Sequence, residues 1–205
     1  GFHLVTVTAP DATPGRDVAH ACFVVTADRT ANSTADAADR ASAHLVLATN
    51  TWNAYNPWGG RSLYTGGHQV SFGRPFARGM LCRPDVDRDD RKARPVRWGE
   101  APDVDGQVFQ EYRTGHSYPS AIGSAGWFTH GRRFVEWAER AGYRFDMLVS
   151  SDLEDRPESL AGYDLVVSLG HDEYWSAGQR DAVERHVERG GHFVSCSGNT
   201  MFWQV

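Results

Sequence analysis

The chain lacks the features that mark several large classes of protein. It has only three cysteines, an odd and widely spaced set that argues against a disulfide framework and favours a cytoplasmic location. It has no run of about 18 apolar residues, so no segment is predicted to span a membrane. Its net charge is −5 and the two signs are mixed along the chain, so no basic surface for nucleic acid is predicted.

Both ends also lack the usual terminal signals. The first residues, GFHLVTVTAP, include neither an initiator Met nor a basic segment followed by an apolar stretch, so no signal peptide is predicted. The last residues, SGNTMFWQV, stop in an apolar run without a polar tail. We therefore expect the chain to be an excerpt of a longer protein, truncated at the carboxyl end of its last domain.

The sequence predicts two structural units. Residues 3–8 alternate apolar and polar side chains, and residues 20–26 form a second such run after a turn-rich connection, as in a β-hairpin. We interpret residues 1–27 as the end of a preceding β-domain. Residues 44–205 form the second unit, with a long charged and Pro-rich insertion at about 83–120.

Strands and helices alternate in the second unit. Apolar spacing from Phe134 predicts a helix that ends at Gly142, and Ser176 with Gln179 forms a capping-box pattern for a helix that ends at Gly190. The alternation predicts an α/β fold, a parallel sheet flanked by helices on both faces. Four short apolar runs are its predicted strands: 44–49, 145–149, 164–169 and 192–196.

Polar side chains follow three of these strands. The segment NTWNAYNPWGGRSLY (residues 50–64, the aromatic segment) is predicted to form a turn directly after the first strand and contains Tyr55 and Tyr64. His171 and Glu173 follow the third strand, and Asn199 follows the fourth. Ligands of open α/β sheets bind beyond the carboxyl ends of the strands. If these three strands are neighbours, the five side chains meet at one rim.

Each of these residues also has a purely structural interpretation. Tyr55 and Tyr64 can cover the sheet edge, and His171 can bond a backbone carbonyl. Glu173 precedes a helix, where a carboxylate interacts favourably with the macrodipole. Asn199 follows a glycine and can be a turn residue. Only the expected convergence of all five side chains at one rim of the sheet favours a functional role.

The predicted set has the chemistry of a metal site. Phenolate and carboxylate are hard oxygen donors that suit Fe³⁺ better than Zn²⁺, which favours His and Cys. A free Tyr has a pKa of roughly 10, so a ligand phenol must lose its proton to the metal's field. His171 is then a candidate general base, and Asn199 a candidate donor to a substrate carbonyl or developing oxyanion.

Four stretches of the chain follow one another in a recognisable order: ATNTWNAYNPWGGRSLY, VEWAERAGYRFDMLVSSDL, YDLVVSLGHDEYWS and GGHFVSCSGNTMFW. Taken together, they resemble the large (β) subunit of N,N-dimethylformamidase and its relatives. The resemblance covers residues 44–205, and the hairpin resembles the end of the β-domain that precedes this unit in that family. It implies a fold like that of the class I glutamine amidotransferases.

The resemblance implies hydrolysis of the C–N bond of a small formamide, giving formate and an amine, at a mononuclear iron held by two tyrosines and a glutamate. Tyr55 and Glu173 match the first tyrosine and the glutamate. Tyr64 is our choice for the second tyrosine, with Tyr112 and Tyr118 as alternatives. A small amide substrate and an oligomer that includes a small subunit are implied as partners.

The resemblance also assigns the neighbouring residues. His171 and Asn199 match residues around the family's iron, and a further acidic residue of that site lies beyond Val205. Two positions depart from the family pattern: Asp172 stands where Pro is usual, and Ser197 stands where Gly is usual.

Two other functions remain open. In a carbohydrate-binding module, Trp52 and Trp58 would stack on sugar rings together with Tyr55 and Tyr64. In a cysteine hydrolase, Cys196 would be the nucleophile. Cys196 lacks the flanking glycines that a sharp strand-to-helix turn needs and lies in an apolar run, so we expect a buried structural thiol.

Overall fold

The computed structural model describes residues 1–11, 18–27, 41, 43–83 and 125–205. Apart from Arg83, the predicted insertion at about 83–120 lies outside these residues. The strands are β1 (Phe2–Thr8), β2 (Val18–Val24), β3 (Ala43–Leu47), β4 (Phe145–Val149), β5 (Leu165–His171), β6 (Tyr174–Trp175), β7 (His192–Gly198) and β8 (Trp203–Gln204). The helices are α1 (Thr49–Tyr55), a π-helix (Trp127–Gly131), α2 (Arg132–Arg140), α3 (Asp152–Asp155), a 3₁₀ turn (Pro157–Leu160) and α4 (Ala177–Glu188).

The central sheet has four strands in the order β4-β3-β5-β7, all parallel to their neighbours. Successive residues of β3 point to opposite faces and enter separate cores. Leu45 packs in a cluster with Trp52 and Trp127, whereas Val46 packs in a cluster with Trp175 and residues of α4. Both faces are therefore covered by helical elements, which confirms the predicted α/β architecture.

The N-terminal hairpin is also present. β1 and β2 pair in antiparallel register, with Phe2 opposite Val24. The Phe2 ring stacks on Trp127, with centroids 3.9 Å apart. This contact attaches the hairpin to the core on the α2 side of the sheet. The division into two domains stays a prediction.

Two local expectations were wrong. The start of the aromatic segment is a helix, α1, rather than a turn, because Trp52 and Ala54 are buried and tertiary packing overrides the low helix propensity of Asn, Thr and Trp. Cys196 is exposed rather than buried, because β7 pairs only with β5 in the described sheet. None of the described helices is long and apolar enough to cross a membrane.

Candidate active site

The site is built at the carboxyl rim of the sheet, where β3, β5 and β7 are direct neighbours. The chain leaves β5 at His171, and the next residues are fixed by backbone hydrogen bonds to the end of β7 and to β8. The amide of Asp172 donates to the Gly198 carbonyl at 3.2 Å, and the amide of Trp203 donates to the Glu173 carbonyl at 2.8 Å. Glu173 is thereby held in the rim by elements far apart in sequence.

The carboxylate of Glu173 is the centre of the site. It is 2% exposed and accepts hydrogen bonds from two phenols. Tyr55 Oη donates to Oε1 at 2.7 Å, and Tyr64 Oη donates to Oε2. The two tyrosine rings stack with centroids 4.1 Å apart and an interplanar angle of 24°. The structure therefore brings together the three residues predicted as metal ligands.

A third phenol, which the sequence reasoning missed, joins this group. Tyr174 Oη donates to Tyr64 Oη at 3.1 Å, and the two rings are perpendicular with centroids 6.4 Å apart. Its adjacency to Glu173 in the HDEYW stretch was the available signal. Tyr174 and Glu173 are adjacent, so their side chains leave opposite sides of the backbone. The long side chain of Tyr174 nevertheless reaches the cluster through its hydrogen bond to Tyr64.

The two predicted assisting residues lie at different distances from the carboxylate. Asn199 Nδ2 is 3.5 Å from Glu173 Oε1, a long contact, and Asn199 has a φ of 54° in an exposed turn. The His171 ring lies beside Tyr55, with centroids 6.2 Å apart. His171 therefore flanks the phenol pair, and Asn199 approaches the carboxylate from the β7 side.

The environment keeps both phenols protonated near neutral pH. Burial, followed by the hydrogen bond to Glu173 and its negative charge, raises the pKa of Tyr55 to about 12. Burial and then the hydrogen bond to Glu173 also raise the pKa of Tyr64, although 47% of that residue is exposed, because its hydroxyl contacts both Glu173 and Tyr174. Both phenols thus act as donors to one carboxylate.

The similarity to known proteins agrees with this geometry. The sequence model of a family described as "N,N-dimethylformamidase beta subunit-like, C-terminal" matches residues 1–205. The chain belongs to this family. It is also 31% identical over 72 residues to the N,N-dimethylformamidase beta subunit of an Alcaligenes species. That match covers 35% of this chain and 9% of the Alcaligenes subunit, so the chain spans a small part of this relative.

The donor groups of this family member fit a hard metal cation. Of the residues that the structure describes, no Lys or Arg forms an ion pair with the Glu173 carboxylate. Within the same residues, no three His, Cys, Asp or Glu side chains are arranged to hold a metal ion. A cation at this rim would therefore be held by phenol oxygens and one carboxylate, which are the ligands that Fe³⁺ prefers over softer donors.

The departure from the family pattern at Asp172 has a structural role. Asp172 is buried, and its Oδ2 accepts a hydrogen bond from Ser168 Oγ at 2.6 Å. Ser168 in turn bonds Ser197 Oγ at 3.1 Å, the second departing position. Burial raises the pKa of Asp172 to about 6. Asp172 and Ser197 are thus linked through Ser168, and this link connects the ends of β5 and β7.

The two tryptophans that were candidates for sugar stacking differ in exposure. Trp52 is 5% exposed in the core, so it has no free face for a sugar ring, and only Trp58 of the two indoles is exposed. This contradicts the part of the carbohydrate hypothesis that used Trp52. Asn56 fixes the aromatic segment, since its Oδ1 accepts from the amides of Trp58 and Ala77 at 3.1 and 3.0 Å. Tyr112 and Tyr118 lie outside the described residues.

Thr51 connects α1 to the site and provides a test of this architecture. Its Oγ1 accepts from the amide of Glu173 at 2.9 Å and from the amide of Tyr174 at 3.3 Å, and Thr51 is fully buried. Thr51→Val preserves shape but leaves both amides without an acceptor. We expect the intact protein to lose about 2–4 kcal/mol of unfolding free energy, measured by urea denaturation.

The control for this substitution is Thr8→Val, which changes an exposed threonine of β1. Hydrogen exchange gives a second, local readout, because the amides of Glu173 and Tyr174 should exchange faster in Thr51→Val. Unchanged exchange at both amides would show that Thr51 does not hold the segment after β5.

Proposed function

We propose that the protein is an iron-dependent hydrolase that cleaves the C–N bond of a small linear amide, as its family relationship suggests. The observation that supports this most directly is the buried Glu173 carboxylate, to which Tyr55 and Tyr64 donate from two separate parts of the chain. Among the described residues this buried anion is bonded only by neutral donors and one long amide contact, which is costly unless a cation compensates for it.

Tyr55, Tyr64 and Glu173 would hold the iron. When bound, Fe³⁺ would supply a Lewis acid that polarises the amide carbonyl and lowers the pKa of water. The two phenol protons that now bond Glu173 would leave on metal binding, so the carboxylate and the phenol oxygens would become available together. The stacked rings of Tyr55 and Tyr64 hold their hydroxyl groups close to the same carboxylate without further rearrangement.

His171 is assigned the proton transfers. Its Nδ1 is buried, so Nε2 is the nitrogen available to a reacting group. Nε2 accepts a proton from the water that attacks the amide carbon and returns it to the nitrogen of the departing amine. The products of this hydrolysis are a carboxylic acid and an amine. Asn199 Nδ2 donates to the substrate oxygen as negative charge develops on it.

The finer structural and cellular assignments belong to the same proposal. The parallel order β4-β3-β5-β7 with helical elements on both faces supports a fold of the class I glutamine-amidotransferase type. The Alcaligenes relative is described as a beta subunit, which supports an oligomer with a second kind of subunit. A scarcity of cysteine supports a cytoplasmic protein.

The first test is elemental analysis and a visible spectrum of the intact, freshly purified protein, followed by a screen of small formamides and acetamides. We expect about one iron per chain, an absorption band from phenolate bound to Fe³⁺, and release of amine from at least one formamide. Freshly prepared protein with no metal and no band would exclude the iron mechanism. Iron and an absorption band without amide hydrolysis would support the proposed metal site but exclude small amides as substrates.

A further inference from the structure

A second histidine lies close to His171. His130 belongs to the π-helix Trp127–Gly131, and its ring centroid is 6.3 Å from that of His171 with an interplanar angle of 63°. His130 Nε2 and His171 Nδ1 are both buried, and neither has a hydrogen-bond partner among the described residues. Two such nitrogens are costly to bury unless something bonds them.

A small cavity contacts both rings. Its volume is about 10 Å³, which is the space that one water molecule needs. Apart from the two histidines, no side chain lining it can accept a hydrogen bond, because the others are apolar, glycine or the donor-only indole of Trp52. The two imidazoles are therefore the only side chains lining the cavity that can accept a hydrogen bond.

The His130 ring approaches the backbone of Gly170 so closely that only glycine fits there. Gly170 has a φ of +79°, and a Cβ at that position would lie 2.9 Å from His130 Cδ2. Any other residue before His171 would both strain the backbone and displace the His130 ring. π-helical turns are rare and occur frequently at functional sites, and this one places His130 against the end of β5.

We propose that one buried water bridges His171 Nδ1 and His130 Nε2, and that His130 is thereby a positioning residue for His171. The water accepts a hydrogen bond from His171 Nδ1–H and donates one to the lone pair of His130 Nε2. This order leaves the lone pair of His171 Nε2 free to accept a proton on the substrate side. Burial and the neighbouring His171 lower the pKa of His130, which favours the neutral, accepting form.

The catalytic meaning of this bridge rests on the proposed function, but the bridge itself does not. The test therefore begins with a high-resolution crystal structure of the intact protein. We expect a water within hydrogen-bond distance of His171 Nδ1 and His130 Nε2. Absence of density for this water in a well-ordered cavity overturns the proposal, whether or not the protein hydrolyses amides.

Variants test the role of the bridge. His130→Phe keeps a planar ring but removes the acceptor. We expect kcat to fall about 10- to 100-fold, which is part of the roughly 10²–10⁴-fold that a positioned general base contributes, with KM and iron content nearly unchanged. His130→Gln offers an acceptor again and should restore most of kcat. In crystals of His130→Phe the His171 ring should change its orientation.

The matched control is His186→Phe. His186 is 8% exposed, and its Nε2 also lacks a partner among the described residues, but it lies in α4 and lines a different cavity. We expect wild-type kcat in this variant. Equal loss of kcat in His130→Gln and His130→Phe overturns the positioning role. If the wild-type protein has no amidase activity, the presence of the water and the ring orientation in His130→Phe decide the question.

Discussion

Glu173→Gln is expected to remove the iron from the protein and to lower the rate of amide hydrolysis by roughly 10³-fold or more. The substitution changes the charge of the side chain and almost nothing of its shape. Losing a residue beyond the metal ligands typically costs about 10- to 100-fold, so losing the only carboxylate of the donor set should cost more. Elemental analysis, the visible spectrum and kcat/KM of the intact protein measure the effect.

The fold should survive this change, because Gln Oε1 can still accept from Tyr55 or Tyr64. Circular dichroism and the melting temperature provide that check. Glu184→Gln is the matched control, since Glu184 is an exposed residue of α4 that pairs with Arg180. A Glu173→Gln protein that retains stoichiometric iron and its absorption band would contradict the proposed ligand set, even if its activity fell.

The elements with strong local signals were predictable from the sequence. β4 has the predicted limits, Phe145–Val149, because its apolar residues are bounded by the polar residues Arg144 and Ser150. The capping box of α4 was also predicted, and Ser176 Oγ does accept from the Gln179 amide at 3.2 Å. In both cases the information lies within a few neighbouring residues, where hydrogen-bonding and burial patterns are readable.

What the sequence could not predict depends on contacts between distant segments. α1 follows from the burial of Trp52 against residues far along the chain, and β6 and β8 form a separate two-residue pairing at the rim. The exposure of Cys196 depends on which strand lies at the edge of the described sheet, and no local pattern specifies the order β4-β3-β5-β7.

The candidate site lies between these cases. That polar residues follow strand ends was visible, and the prediction that they converge depended on β3, β5 and β7 being neighbours, which they are. Tyr174 and His130 were missed because their positions depend on side-chain reach and on an unusual helical turn. That Tyr55, Tyr64 and Glu173 bind a metal stays a prediction.

The second large effect concerns the two phenols. Tyr55→Phe and Tyr64→Phe are each expected to abolish most of the visible band and to lower kcat by about 10²-fold or more, because each removes one anionic ligand while leaving a stacked ring in place. Tyr174→Phe is the matched control. Its hydroxyl bonds Tyr64 but has no contact with Glu173 among the described hydrogen bonds, so the intensity of the band and the iron content should remain near wild type.

Comparing the three variants distinguishes a tyrosine that binds the metal from one that only bonds a metal ligand. Tyr55 and Tyr64 bond different oxygens of the same carboxylate. A metal that replaces those two protons would therefore bind both phenolates, and the two substitutions should have effects of similar size. A full band in Tyr64→Phe together with a lost band in Tyr55→Phe would contradict the assignment of Tyr64 and make Tyr112 or Tyr118 the second ligand. The band position in Tyr174→Phe adds a further constraint, because loss of a hydrogen bond to the Tyr64 oxygen raises the electron density on that phenolate and should shift the absorption to longer wavelength.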